Sequence, residues 1–500
     1  MWITLIATAI TVAYFYIKWK IGHWSRKNLK SHTGDNFFRD FYNNLTLSEN
    51  FSVVLDSYYK RFRNESFFGA FAFLRPALTL VDLDAVKTVL TTEFNSFQKN
   101  DFEINEELEV LLATNPFALS GAKWKRSRNQ VTPAFTSGRM KAMFPLMIDV
   151  AHRLTKYIEN HKDATTSTGL DAKDLSEKFA MDNVATCAFG IDAESFTNPN
   201  SDFIRLGRKL FETTTANMIK FLIIFLFPWL TKILRIRFVP KETSDWMVAV
   251  INQNVEYREK HNVSRDDFLQ GMMNLRNKKN IDYQPLTNLE MTGHSLSFLT
   301  DGFETSSGAL AFAIYAVAHN QDVQENLRRE IADVLDKYDG NLTYDALMEM
   351  SYLDRIIFET LRKYPPLMVM QKKCTQQCTL QGKDNALIAM EPGDSIMIPV
   401  LSIHHDPEHY PDPERFDPDR FTESEKSSRH SYAFLGFGGG PRICLGMRFA
   451  LQQIKVALLH IVMNFELSVA SKTKEPLKLD KKAFLYKAEG GLWINFKKLN

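Results

Sequence analysis

Cysteine is scarce in this chain, with four residues in 500 (Cys187, Cys374, Cys378 and Cys444). That is too few for a disulfide scaffold and suits a reducing compartment. An excess of one charge is lacking too: 61 basic residues stand against 59 acidic ones, a formal net charge of +2, which gives no pull towards nucleic acid. With only 22 Gly and 18 Pro beside 45% hydrophobic residues, a collagen-like, low-complexity or disordered chain is excluded. No internal repeat, Gly/Ser linker or long charge block divides the sequence, so one large body is expected. Neither a P-loop, a Ser-His-Asp signature nor a G-x-G-x-x-G in a strand-to-helix setting stands out. His404, His405 and His409, like Cys374 and Cys378, do not complete a four-ligand zinc set.

What is present begins at the N-terminus, where no charged side chain precedes Lys18. At ~1.5 Å per residue such a helix reaches roughly 25 Å, enough for a thin bilayer. A cleaved signal peptide is the rival reading. The basic n-region and small-x-small cleavage site are missing, and the positive charges Lys18, Lys20, Arg26 and Lys27 follow the apolar run, so an uncleaved anchor over residues 1–17 with the body in the cytosol is expected. The apolar cluster Phe221–Leu230, broken by Pro228, admits two readings, a buried core helix or a basic-flanked loop dipping into a membrane interface.

Helical patterns dominate from about Pro285. Thr287 and Glu290 have capping-box spacing ahead of a periodic run to about His319. Further helices are predicted from Asp322 to about Lys337, from Leu353 to Tyr364 before Pro365-Pro366, and after Gly446. Short β-like pieces such as S-I-M-I-P-V complete a mostly α fold with a smaller β-rich part.

The most informative segment is F-G-G-G-P-R-I-C-L-G, Phe437 to Gly446. Its glycines allow backbone to approach a bulky planar ligand, and it delivers Cys444 to a helix N-terminus, where dipole and free amides favour a thiolate. A thiolate is a metal ligand; a lone cysteine beside a tight turn is more often just buried.

This segment resembles the haem-ligand loop of the cytochrome P450 family, F-x-x-G-x-R-x-C-x-G, at Phe437, Gly440, Arg442, Cys444 and Gly446. The resemblance implies a P450 fold binding haem b, with Cys444 as the axial thiolate on iron, Phe437 shielding the sulfur and Arg442 pairing with a propionate. Glu359 and Arg362, at i and i+3 on one helix face, with Arg420 placed 24 residues before Cys444, resemble the family's structural Glu-Arg-Arg cluster. Trp124 and Arg128 resemble its W-x-x-x-R propionate donors, and Lys372 occupies a place where relatives often carry another. The stretch Asp301 to Ser306 resembles the oxygen-activation motif, giving Glu304 and Thr305 as the catalytic proton relay. Asp301 departs from the small residue usual there, and a buried carboxylate must turn to a partner, to water, or to a polar or cationic substrate group. A second departure is the absence of Pro from residues 1–75, where membrane-bound relatives carry a Pro-rich hinge.

The motifs look most like the animal microsomal branch, especially insect members. They imply a haem-thiolate catalytic domain over residues 18–500 on the cytosolic face of the endoplasmic reticulum membrane. The implied reaction inserts one atom of O2 into a hydrophobic small molecule (xenobiotic, steroid or lipid). With no nicotinamide or flavin motif in the chain, electrons come from NADPH-cytochrome P450 reductase, with cytochrome b5 as a further donor and Lys125, Arg126 and Arg448 as steering charges. A haem-thiolate isomerase or dehydratase acting on peroxides, and a non-catalytic haem or lipid-binding protein, are the alternatives. Segments around Phe102 to Leu119, Phe211 to Phe227, Phe298 to Thr305 and Pro366 to Met370 are expected to line the pocket.

Overall fold

A computed structural model of the chain describes residues 2–32, 39, 42, 43, 46, 48–72, 75–198, 200–212, 214–277 and 286–499. The helices that position the site are α1 (Trp2–Ile21), α2 (Gly121–Val131), α3 (Ser137–Asn160), α4 (Ala172–Val184), α5 (Thr215–Leu226), α6 (Pro228–Leu234), α7 (Asn288–His319), α8 (Gln321–Lys337), α9 (Ser351–Lys363) and α10 (Met447–Asn464). The strands are β1 (Phe67–Ala72), β2 (Arg75–Leu80), β3 (Lys99–Asn100), β4 (Leu170–Asp171), β5 (Met370–Lys373), β6 (Cys378–Gln381), β7 (Leu387–Met390), β8 (Ser395–Ile398), β9 (Phe465–Val469) and β10 (Trp493–Lys498). They form a sheet in the order β1-β2-β8-β5-β3, a second in the order β4-β10-β9, and the β6-β7 hairpin.

The local signals explain the long elements. Thr287 accepts from the Glu290 amide at 3.1 Å while the Glu290 carboxylate accepts from the Thr287 amide at 2.9 Å, a closed capping box that starts α7. Pro285 lies outside the described residues. Helix α7 is buried along most of its length and packs chiefly on α4. Helix α9 ends at Lys363, because Pro365 and Pro366 cannot continue it. Gly446 caps the start of α10.

Residues 2–21 form α1, and the expected span at 1–17 falls in it except for Met1, which lies outside the described residues. Among the described residues no helix is long and apolar enough to cross a membrane, so α1 is described as a helix, not as a span. The segment just after α1 is tied to the body. Trp24 is buried, its indole N–H donates to Ala70 O at 3.0 Å, its ring occupies the space a Cβ at Gly69 would need, and Lys27 pairs with Asp394 at 3.1 Å. The Phe221–Leu230 cluster is not one buried helix. It divides between α5 and α6, with Ile224 buried but Phe227 and Trp229 exposed.

At the centre of the α9 end stands a wholly buried ion pair. Arg362 grips Glu359 with two N–H groups, Nε at 2.7 Å and Nη2 at 2.8 Å, and both residues are 0% exposed. The same guanidinium donates to His404 O and Pro413 O, each at 2.9 Å. Glu359 also accepts from the Asp417 amide at 2.9 Å and lies 3.5 Å from Arg420 Nε, so the expected three-residue cluster forms. His404 is structural as well. Its Nδ1 donates to Arg362 O at 3.1 Å, its Nε2 accepts from the Leu435 amide at 2.8 Å, and burial followed by the Arg362 charge pushes its pKa down to about 3, keeping the ring neutral. Replacing Arg362 by Met leaves the Glu359 charge buried with its main partner gone, which costs about 3–5 kcal/mol. The midpoint of urea unfolding should fall accordingly, whereas Arg329→Met, in an exposed pair with Glu325 on α8, should leave it nearly unmoved.

Candidate functional site

The loop from Leu435 to Gly446 is held by its own backbone: Gly438 N–H donates to Leu435 O at 2.9 Å, Ile443 N–H to Gly440 O at 3.0 Å and Cys444 N–H to Phe437 O at 2.9 Å. Gly438 and Gly440 have φ of +74° and +64°, which a side chain would strain. At Gly440 a Cβ would also overlap the Leu90 carbonyl. The small residue is therefore required there by the protein's own packing, where the sequence reading assigned the loop glycines to the approach of a ligand.

Cys444 is enclosed by protein, yet its side chain remains open, so it borders an internal space and not the outer surface. Burial pushes its thiol up to about 11; the Gly446 amide opposes this, the Asp301 charge adds to it and Arg128 offsets part of it. The Gly446 amide at the start of α10 acts in the direction expected of a helix N-terminus, against the burial. One amide and one guanidinium do not offset the desolvation, and a cation at the sulfur has to supply the rest.

The four expected donors converge beside the loop. Arg442 stacks over Trp124 at 4.8 Å from the ring and spends two N–H groups on Pro116 O at 2.8 Å and Leu119 O at 2.6 Å, while its buried Nε lacks an acceptor among the described residues. Arg128 donates to Ile443 O at 2.9 Å. Lys372 is buried and donates to Asn100 at 2.8 Å, a contact set by the β3–β5 register that pairs Asn100 with Lys372. Burial and then the Arg442 charge push Lys372 down to about 7, and burial and then the Arg128 charge push Arg442 down to about 10. These cations act on one another with no carboxylate among their contacts in the described residues, an arrangement that calls for an anion.

Near enough for the Asp301 charge to act on Cys444, α7 presents Asp301 and Thr305 on one face. Thr305 donates to Asp301 O at 2.6 Å, which leaves its hydroxyl lone pairs free to accept. Asp301 accepts from Asn115 Nδ2 at 3.2 and 3.1 Å and from Thr300 at 3.0 Å. Glu304 diverges, since neighbouring helix residues point about 100° apart. It pairs with Lys173 at 3.0 Å, and Lys173 also reaches Ser307 at 2.7 Å and Glu177 at 3.4 Å. The acid and the hydroxyl expected to work as a pair therefore face different ways, and the carboxylate on Thr305's own face is Asp301. Sequence reading missed Asn100, Asn115 and Lys173, for which no local signal exists.

Haem b fits these residues. A cationic iron answers the thiol that burial disfavours as an anion, and two propionates answer the rim of Trp124, Arg128, Lys372 and Arg442, including the orphaned Arg442 Nε. Among the described residues no group of three His, Cys, Asp or Glu could hold a bare metal ion.

Burial raises the pKa of Asp301 from 3.8 to about 6, against the hydrogen bonds from Thr300 and Asn115. A raised acid pKa means the folded chain holds the proton longer, so the stability present below pH 4 is lost as pH rises through 6. Asp301→Asn should be more stable than the parent at pH 7 by about 1 kcal/mol, the shift being discounted for water reaching the carboxylate. The difference should vanish below pH 4, as checked by urea midpoints across that range.

The family model described as Cytochrome P450 matches residues 40–494. "Probable cytochrome P450 6a13" of Drosophila melanogaster is 35% identical, covering 99% of this chain and 99% of its own. "Cytochrome P450 6k1" of Blattella germanica is 34% identical, covering 99% and 97%. "Cytochrome P450 6A1" of Musca domestica is 33% identical, covering 97% and 95%. With the thiol loop, the cation rim and these full-length likenesses in agreement, the chain belongs to the cytochrome P450 family of haem-b-binding monooxygenases.

Proposed function

We propose that the chain inserts one atom of O2 into a hydrophobic small molecule, with Cys444 as the axial thiolate and NADPH-cytochrome P450 reductase as the electron donor. The observation that carries this reading is the gathering of Arg128, Arg442 and Lys372, with no carboxylate among their contacts in the described residues, at the loop that carries Cys444. Bound there, haem b supplies the iron at which O2 is activated, and the thiolate's electron donation favours O–O cleavage. The chain's own residues do the rest. Arg442, Arg128, Lys372 and Trp124 would hold the haem propionates, while Glu359, Arg362 and Arg420 brace the segments that lead into the loop.

Thr305 supports proton delivery, because its hydroxyl gives its hydrogen to the helix backbone and can accept one from water. Glu304, turned to Lys173 and Glu177, joins the relay only through intervening water. Aromatic side chains support an apolar substrate. Phe102 meets Phe117 at 5.8 Å and Phe238 at 5.7 Å, and Phe211 meets Phe303 at 6.3 Å.

The catalytic domain, residues 18–500, works at the cytosolic face of the endoplasmic reticulum membrane, with α1 as the anchor. Exposed Trp2, Leu5, Val12 and Phe15 ahead of Lys18 and Lys20 support it, as do exposed Trp229, Ile233 and Leu234 beside Lys232 on α6. Exposed Lys125 and Arg448 on the Cys444 side suit an acidic electron donor; Arg126 is engaged with Glu290 at 2.8 Å. Reconstitution with the reductase and a panel of lipophilic compounds tests the reading. NADPH oxidation should depend on substrate and yield oxygenated product, and Thr305→Val should cut product per NADPH by at least about tenfold, the low side of a lost proton relay. Rearrangement of peroxides without NADPH oxidation, or no turnover at all, would overturn it.

A further inference from the structure

The charge that α7 places in the substrate space goes unused by oxygen activation as proposed above. Asp301 is the third-to-last residue before the relay acid Glu304, and it shares the inward face of Thr305. Its orientation is determined by neighbours. Asn115 is 2% exposed, and its amide oxygen accepts from the Phe117 amide at 2.7 Å. The Asn115 NH2 group must therefore face Asp301, where it lies 3.2 and 3.1 Å from the two carboxylate oxygens. Thr300 adds a bond at 3.0 Å to Oδ1, shared with the Ser297 carbonyl at 3.3 Å.

Both partners are neutral donors, and neither a lysine nor an arginine pairs with Asp301 among the described residues. A carboxylate offers about four acceptor sites, so at least one remains open, on Oδ2, which only Asn115 approaches. The side chain is enclosed by protein but open towards the interior, and its charge reaches the Cys444 thiol. An unpaired carboxylate kept in such a place is unfavourable for stability unless a cation meets it.

We propose that Asp301 is a specificity-determining residue: oriented by Asn115 and Thr300, its carboxylate faces the substrate opposite Cys444 and selects apolar molecules that carry one cationic nitrogen. This rests on the haem-thiolate reading above. Phe117, whose amide bonds to Asn115, and Phe102 beside it offer apolar surface for the body of the molecule, and the carboxylate supplies the single polar contact that fixes its orientation. The competing role is a brace that joins α7 to the loop carrying Asn115. A brace would be blind to the charge of a ligand.

The test uses haem-loaded full-length protein and two ligands of equal shape, benzyltrimethylammonium and neopentylbenzene, neither of which has a nitrogen lone pair for iron. Binding is read by calorimetry and by the shift of the ferric Soret band. Asp301→Asn keeps the shape of the side chain, and Asp301→Ala is carried in parallel so that the result does not depend on one substitution folding. The ratio of the neutral ligand's Kd to the cation's should fall at least about tenfold in both variants, with the neutral ligand's own Kd moving less than about threefold. Failure of the cation to bind the parent, or an equal change for both ligands, would overturn the assignment of Asp301. Loss of the thiolate signature in the reduced carbon monoxide spectrum of the parent would instead remove the haem-thiolate reading on which it rests.

Discussion

A fully buried ion pair, Glu359 with Arg362, is the constraint from which the haem side of the molecule is built. Burying two charges is unfavourable unless nearly every donor and acceptor finds a partner. Here the partners are drawn from far along the chain: the carbonyls of His404 and Pro413, the amide of Asp417 and the guanidinium of Arg420. Helix α9, the 404 turn and the 412–420 segment must therefore come together at once. His404 carries the constraint onward, taking the Leu435 amide at the start of the loop that ends on Cys444. The sulfur is positioned by a relay of hydrogen bonds that begins on a different helix.

The site itself is poised against its own stability. Three cations stand together at the loop, burial pushes the Cys444 thiol up, and the Asp301 carboxylate has no cationic partner among the described residues. Each is disfavoured as the chain stands, and each is answered by a particular feature of the ligands the site takes: anionic carboxylates, a cationic iron, and a substrate of matching charge. Such arrangements mark functional sites because packing alone would have removed them.

Much of this was legible where the governing rule is local. The capping box at Thr287 and Glu290, the stop at Pro365-Pro366 and the Gly446 start of α10 depend on a few adjacent residues, and all three elements form where the pattern predicts. The convergence of Trp124, Arg128, Lys372 and Arg442 followed from resemblance, since spacing alone does not bring β5 beside α2. What escaped depends on contacts between distant segments. Glu304 turns to Lys173, Gly440 is small because of Leu90, and Asn115 orients Asp301. The amide at the helix N-terminus acts on Cys444 as the local pattern predicts, whereas the desolvation that opposes it comes from the whole surrounding fold.

The central claim is that Cys444 ligates haem iron as a thiolate, and the carbon monoxide difference spectrum of the dithionite-reduced protein in membranes tests it most directly. Thiolate ligation predicts a strongly red-shifted Soret band in the parent that is absent from Cys444→Ala. A folded parent without that band, or a variant that keeps it, would contradict the assignment.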